Sequence, residues 1–171
     1  MTKANPNPAI AWLLALTVGA ASAADIEGGE RHTGNPAWME PPFIDMESDL
    51  QTVREQGKTG VMVLYTTLGC SYCAEFANRS LEDPRLQQKV RDHFVSLGLE
   101  IFDDTLMTAP DGSEVSIKQF AEAQGAGMAP TLLFFGPDGE RTLRAVGYQS
   151  PERFDLILDY LIEEANQSVS F

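Results

Sequence analysis

The sequence is poor in the residues that build metal centres and disulfide frameworks. Among 171 residues it has two cysteines, Cys70 and Cys73, and two histidines, His32 and His93. With no third cysteine, the pair belongs to no multi-disulfide scaffold of the kind that staples small domains. A bridge across so short a loop removes little chain entropy, so the pair is kept for reactivity rather than for stability. A structural zinc site takes four ligands. His32 falls in a Gly/Pro-rich segment and His93 at the end of a predicted helix, so no such set is assembled. Covalent haem attachment wants histidine directly after the second cysteine, and that position is Ala74. A copper carrier would use soft sulfur and imidazole donors. The methionines at 39, 46, 62, 107 and 128 are scattered singly and read as core or gap filler. No metal and no cofactor are expected.

Basic residues are also scarce. Lys and Arg number 12 against 25 Asp and Glu, a formal net charge of −13. Nucleic-acid binding needs clustered basic residues to meet phosphates, and that class is excluded. The acidity reads first as solubility, and alternatively as steering toward a basic partner. Long apolar runs are lacking too. The one candidate, AIAWLLALTVGAASAA from Ala9 to Ala24, is shorter than the roughly 20 residues of a spanning helix and rich in small residues. Lys3 precedes it, and Ala21-Ser22-Ala23 has the small-x-small form of a cleavage site. Residues 1–23 therefore read as a signal peptide, with an uncleaved anchor as the alternative. Export would place the chain in the periplasm or otherwise outside the cytoplasm, where conditions are oxidising.

Residues 24–42 carry Gly and Pro without sustained periodicity and read as a linker or N-terminal arm, with Trp38 packed against the core. Residues 43–171 read as one domain. FIDMESDLQTVREQGK spaces Ile44, Leu50 and Val53 as a helix and stops at Gly57. Val61–Thr67, VMVLYTT, is a continuous apolar run of the kind buried on both faces of a sheet. CAEFANRSLEDPRLQQKVRDHF predicts helix, interrupted at Asp83-Pro84. Phe94–Phe102 is a second strand. The acidic stretch from Asp103 to Glu114 is expected to be a solvated loop with a turn at Asp111-Gly112. SIKQFAEAQGAG is a short helix. TLLFFG and RTLRAVGY form a hairpin, and Pro151 opens a final amphipathic helix. The order is α-β-α-β-α-β-β-α, an α/β fold with a mixed central sheet flanked by helices.

Cys70 stands where a buried strand meets a helix N-terminus. Unpaired N–H groups and the positive end of the helix dipole favour an anion there, and the available anion is a thiolate. Cys73 lies one turn further in, close enough to reach Cys70 but more shielded. Such a pair is suited to thiol–disulfide exchange, with Cys70 attacking and Cys73 resolving the mixed intermediate.

A CxxC opening a helix after a VMVLYTT strand, with Met128-Ala129-Pro130-Thr131 before a later strand, resembles the thioredoxin family from Phe43 to the last helix. The resemblance implies a thioredoxin fold, a redox-active Cys70–Cys73 disulfide, and a cis Ala129–Pro130 bond beside Cys70. Substrate contacts would come from Ala129 and Pro130, and from Ser71 and Tyr72 between the cysteines. CSYC, SIKQFAEAQGAGMAPTLLFF and GYQSPERFDLILDYL are similar to exported thioredoxin-like proteins found with bacterial sulfur-oxidation (Sox) systems. That likeness implies reduction of a protein disulfide; a membrane-borne or periplasmic electron donor and a monomeric state are also expected. The chain departs from cytosolic thioredoxins at Gly69, where they carry tryptophan, at Ser71-Tyr72, where they carry Gly-Pro, and at Leu64, where they bury an aspartate. Glu75 and Glu100 are the carboxylates that could replace that aspartate, though each reads first as a surface residue. An oxidase or isomerase with the same site, and a non-catalytic binding or metal-delivery module, stand as alternatives.

Overall fold

A computed structural model of the chain describes residue 1, residues 35–39 and residues 43–168. The expected signal peptide, His32 and most of the 24–42 arm lie outside the described residues. Among the described residues, no helix is long and apolar enough to cross a membrane.

A 3₁₀ turn at Ala37–Met39 comes first. Then follow α1 (Met46–Gln56), β1 (Gly60–Thr66), α2 (Ser71–Phe76), a π-helical turn (Ala77–Leu81), α3 (Pro84–His93), β2 (Phe94–Glu100), β3 (Leu106–Thr108), β4 (Glu114–Ser116), α4 (Ile117–Ala123), β5 (Thr131–Phe135), β6 (Arg141–Val146) and α5 (Pro151–Ser168). Side-chain caps set the helix starts. The Asp45 carboxylate accepts the Ser48 N–H at 3.0 Å, so α1 begins after Ile44 rather than at Phe43. Asp83 accepts from Arg85 and Leu86 with Pro84 in the first turn, which divides the long helical stretch where Asp83-Pro84 predicts. Ser116 and Gln119 form a reciprocal capping box on α4.

The main sheet has four strands in the order β2-β1-β5-β6. β1 and β2 are parallel, as a crossover through α2 and α3 requires; β5 is antiparallel to both β1 and β6. β1 is buried along its whole length. Val61, Val63 and Tyr65 face Met46, Leu50 and Val53 of α1 together with Phe120 of α4. Met62 and Leu64 face Phe76, Leu86 and Val90, with Phe154 and Leu158 of α5. Phe76 and Phe154 meet edge to face at 5.2 Å between ring centroids. Each fully buried side chain of this size stabilises the fold by about 1.5–3 kcal/mol. Trp38 is half-buried against the second cluster, with the Arg91 guanidinium 5.0 Å over its ring.

Two expectations are corrected. The acidic segment is not a solvated loop: β3 and β4 pair antiparallel from Leu106↔Ser116 to Thr108↔Glu114. Met107 is buried and Val115 packs partly on the first core, so the hairpin has an inner face. At its tip the Asp111 carboxylate accepts both the N–H and the hydroxyl of Ser113. The methionines divide as well. Met39, Met46, Met62 and Met107 are core, but Met128 is 63% exposed.

Asp49, in the first turn of α1, is held protonated unusually far up the pH scale. Burial, and then the charge of Asp45, push it from the ordinary 3.8 to about 6. The folded chain binds this proton more tightly than the unfolded chain. The group's contribution is therefore full below the ordinary value and is lost as pH rises through about 6. Asp49→Asn should stabilise the fold by about 1 kcal/mol at pH 8, a figure reduced for the partial solvent screening of the group. At pH 4 it should change little. Denaturant unfolding at the two pH values checks this, and an equal gain at both would refute it.

Candidate active site

β1 ends at Thr66 and hands the chain to α2 through a tight turn. The Cys70 N–H donates to the Thr67 carbonyl at 3.2 Å. Gly69 has φ +74°, a left-handed conformation that only glycine adopts without strain. The tryptophan that cytosolic thioredoxins carry at this position would be strained in this backbone conformation. Cys70 caps α2: its Sγ accepts the Cys73 N–H at 3.1 Å, and its carbonyl accepts the Ala74 N–H at 3.1 Å. The two cysteines are joined, with an S–S distance of 2.01 Å and Cα atoms 5.2 Å apart. Cys70 is half-buried and Cys73 has no exposed surface. An incoming disulfide therefore meets Cys70. In the dithiol state, the N–H that Sγ accepts here favours a thiolate on that sulfur.

The Ala129–Pro130 peptide is cis. Thr131, the next residue, pairs with Tyr65 near the end of β1, which puts this loop at the same end of the sheet as Cys70. The loop is tied at several points. The Thr131 hydroxyl donates to the Met128 carbonyl at 2.6 Å, and the Gly147 N–H donates to the Pro130 carbonyl at 2.8 Å. Pro130 is buried and Ala129 half-buried, whereas Ser71 is exposed. Leu68, Tyr72 and Met128 are all more than 60% exposed, an apolar surface at the cysteine end.

Two residues of this region escape a reading by pattern. The Gln149 side chain, 3% exposed, donates to the carbonyls of Gly147 at 2.9 Å and Val146 at 3.3 Å. The fully buried Ser80, on the π turn behind α2, donates to the Gln149 carbonyl at 3.2 Å. A hydrogen-bonded path thus runs from the π turn behind the cysteine helix through Gln149 and Gly147 to Pro130. The only sequence signal of Gln149 is its place as a polar residue in the short link between β6 and α5, and Ser80 gives none.

The position of the buried aspartate is filled by Leu64, fully enclosed in the core. Glu75 pairs with Arg79 at 3.3 Å, and the Glu100 carboxylate accepts the Phe102 N–H at 2.9 Å. Both sit in the partly solvated layer. His93 is the half-buried last residue of α3. Among the described residues, no group of three or more His, Cys, Asp or Glu side chains is disposed to hold a metal ion.

A family model described as a thioredoxin-like domain matches residues 46–162. Among solved structures, a thioredoxin from Thermus thermophilus superposes with a TM-score of 0.56 at 21% identity, covering 72% of this chain and 88% of that chain. A DsbH oxidoreductase superposes with a TM-score of 0.52 at 10% identity, covering 75% and 90%. At such identities the likeness is one of fold. No curated protein matches the chain in sequence.

Proposed function

Since the chain belongs to the thioredoxin-like domain family, we propose that it is an extracytoplasmic thiol–disulfide oxidoreductase that reduces protein disulfides with Cys70 and Cys73. The observation that carries this reading is the unequal burial of the two sulfurs, with the outer one capping α2. Cys70, as thiolate, attacks one sulfur of the substrate disulfide and displaces the other as a thiolate. Cys73 then gives up its proton and attacks the Cys70 sulfur. The second substrate thiolate leaves, and the Cys70–Cys73 disulfide remains. Two electrons pass to the substrate, whose two thiolates take up protons. An electron donor outside the cytoplasm then returns the pair to the dithiol. Ala129 and Pro130 contact the substrate chain on one side, Ser71 and Tyr72 on the other. The likeness of CSYC and of the segments around Pro130 and Gln149 to Sox-associated proteins supports a substrate within a sulfur-oxidation system.

Equilibration of the pair with glutathione buffers tests the direction. A reductant should show a potential of about −230 mV or lower, whereas a value near −120 mV belongs to an oxidant and would reverse the assignment. Cell fractionation of the native host tests the location. Recovery with cytoplasmic markers would remove that part of the reading.

A further inference from the structure

A hollow beside the β3–β4 hairpin has no place in the chemistry above. It encloses about 450 Å³. Met107 and Ile117 form its buried floor, while Phe43 and Leu106, 86% and 58% exposed, stand at its rim. Asp45, Asp103 and Glu114 also line it, and no lining residue is basic. We propose that this hollow receives a segment of the substrate protein in which one large apolar side chain is flanked by Lys or Arg; the assignment rests on the disulfide-exchange reading.

Topology puts the hollow within reach of a bound substrate. α1 runs back toward the start of β1, so its first turn lies at the end of the sheet that leads into Cys70. β2, parallel to β1, reaches that same end, where the Ile101 N–H donates to the Thr66 carbonyl at 2.9 Å. The hairpin departs from there, and its Thr108 bridges to Asp45. The hollow and the cysteines therefore share one end of the sheet, on opposite helical layers.

Chemistry narrows the occupant. Two large apolar side chains left in water beside a concavity offer contact to an apolar guest. Asp45 and Glu114, on a lining without a basic residue, favour a cationic guest, and the Asp45 charge also adds, after burial, to the upward displacement of Asp49. A second copy of this chain is a poor guest, because each copy carries a net charge of −13 and they repel. Residues 2–34 are no better matched, since they set Lys3 and Arg31 against Asp25, Glu27 and Glu30.

The test uses the reduced full chain and two synthetic peptides. Each peptide has one internal disulfide and one phenylalanine, flanked by lysines in one and by glutamates in the other. The wild type should exchange about tenfold faster with the cationic peptide at low ionic strength, and the preference should fade at about 0.5 M salt. Leu106→Ser combined with Glu114→Lys should reduce the preference to about twofold or less. Glu163→Lys, the same charge change on α5, should leave it intact. Thermal unfolding checks that the substituted chains fold. Equal wild-type rates, or a preference that survives the paired substitution, overturns the proposal. So does a dimer in sedimentation that Leu106→Ser dissolves, which would assign the hollow to a second copy. Should the wild type exchange with neither peptide nor a neutral small aromatic disulfide, the oxidoreductase reading itself fails and takes this proposal with it.

Discussion

A Cys73→Ser chain should accumulate as one or a few heavier, reductant-sensitive adducts in the native host, while Cys70→Ser forms almost none. The asymmetry follows from burial. Cys70 is half-exposed at the head of α2, but Cys73 has no exposed surface and cannot meet an external disulfide. Serine preserves the size of Cys73 and leaves the cap on α2 in place, so Cys70 still attacks. Nothing then displaces the substrate from its sulfur, and the mixed disulfide persists. Multiple-turnover reduction should fall about a thousandfold or more in either variant, because the two sulfurs act as one unit. Nonreducing electrophoresis followed by mass spectrometry of the released partner reads the result. A sulfur-oxidation enzyme among the partners would support the narrower functional reading. Absence of adducts from both variants would favour a binding module instead.

Gly60→Ala should be the most damaging single-methyl change in the sheet. A Cβ at Gly60 would overlap the carbonyl oxygen of Phe135, with the Phe135 carbonyl carbon behind it. Both partners are backbone, so no side chain can rotate away. Gly60 pairs with Phe94 at the start of β1, and its neighbour Val61 pairs with Phe135. Relief of the overlap must therefore spread β1 from β5, the two central strands. The expected cost is about 3 kcal/mol or more, the upper range for forcing atoms into a filled interior. Against a typical total of about 5–15 kcal/mol, that is a large fraction. Denaturant melts monitored by circular dichroism give the number, and a loss below about 1 kcal/mol would show that the strands separate easily.

The parts of the fold legible in advance are those where one physical signal dominates. Val61–Tyr65 is uninterrupted apolar sequence because both faces of β1 are covered, and this placed the cysteines at a strand-to-helix junction. Asp83-Pro84 divided the helices because proline and an aspartate cap act together. The β3–β4 hairpin stayed hidden because its strands are only three residues long, and its inward residues, Met107 and Val115, are outnumbered by carboxylates and hydroxyls. Met128 looked like core because isolated methionine usually is; only the fold shows that it faces outward. The Ser80 hydroxyl donates to the Gln149 carbonyl across 69 residues of sequence, a distance over which no local periodicity carries information.

The path from Ser80 through Gln149 and Gly147 to Pro130 also bears on how the molecule breathes. Amides exchange with solvent only when their hydrogen bonds open, and neighbouring bonds that share partners open as cooperative units. The Gly147 N–H is held by Pro130, the Gly147 carbonyl by Gln149, and the Gln149 carbonyl by Ser80 behind the cysteine helix. Successive bonds share a residue, so each restrains the next. The proline loop and the π turn behind the cysteine helix are therefore expected to open together, a lifetime that deuterium exchange at the Gly147 amide would measure.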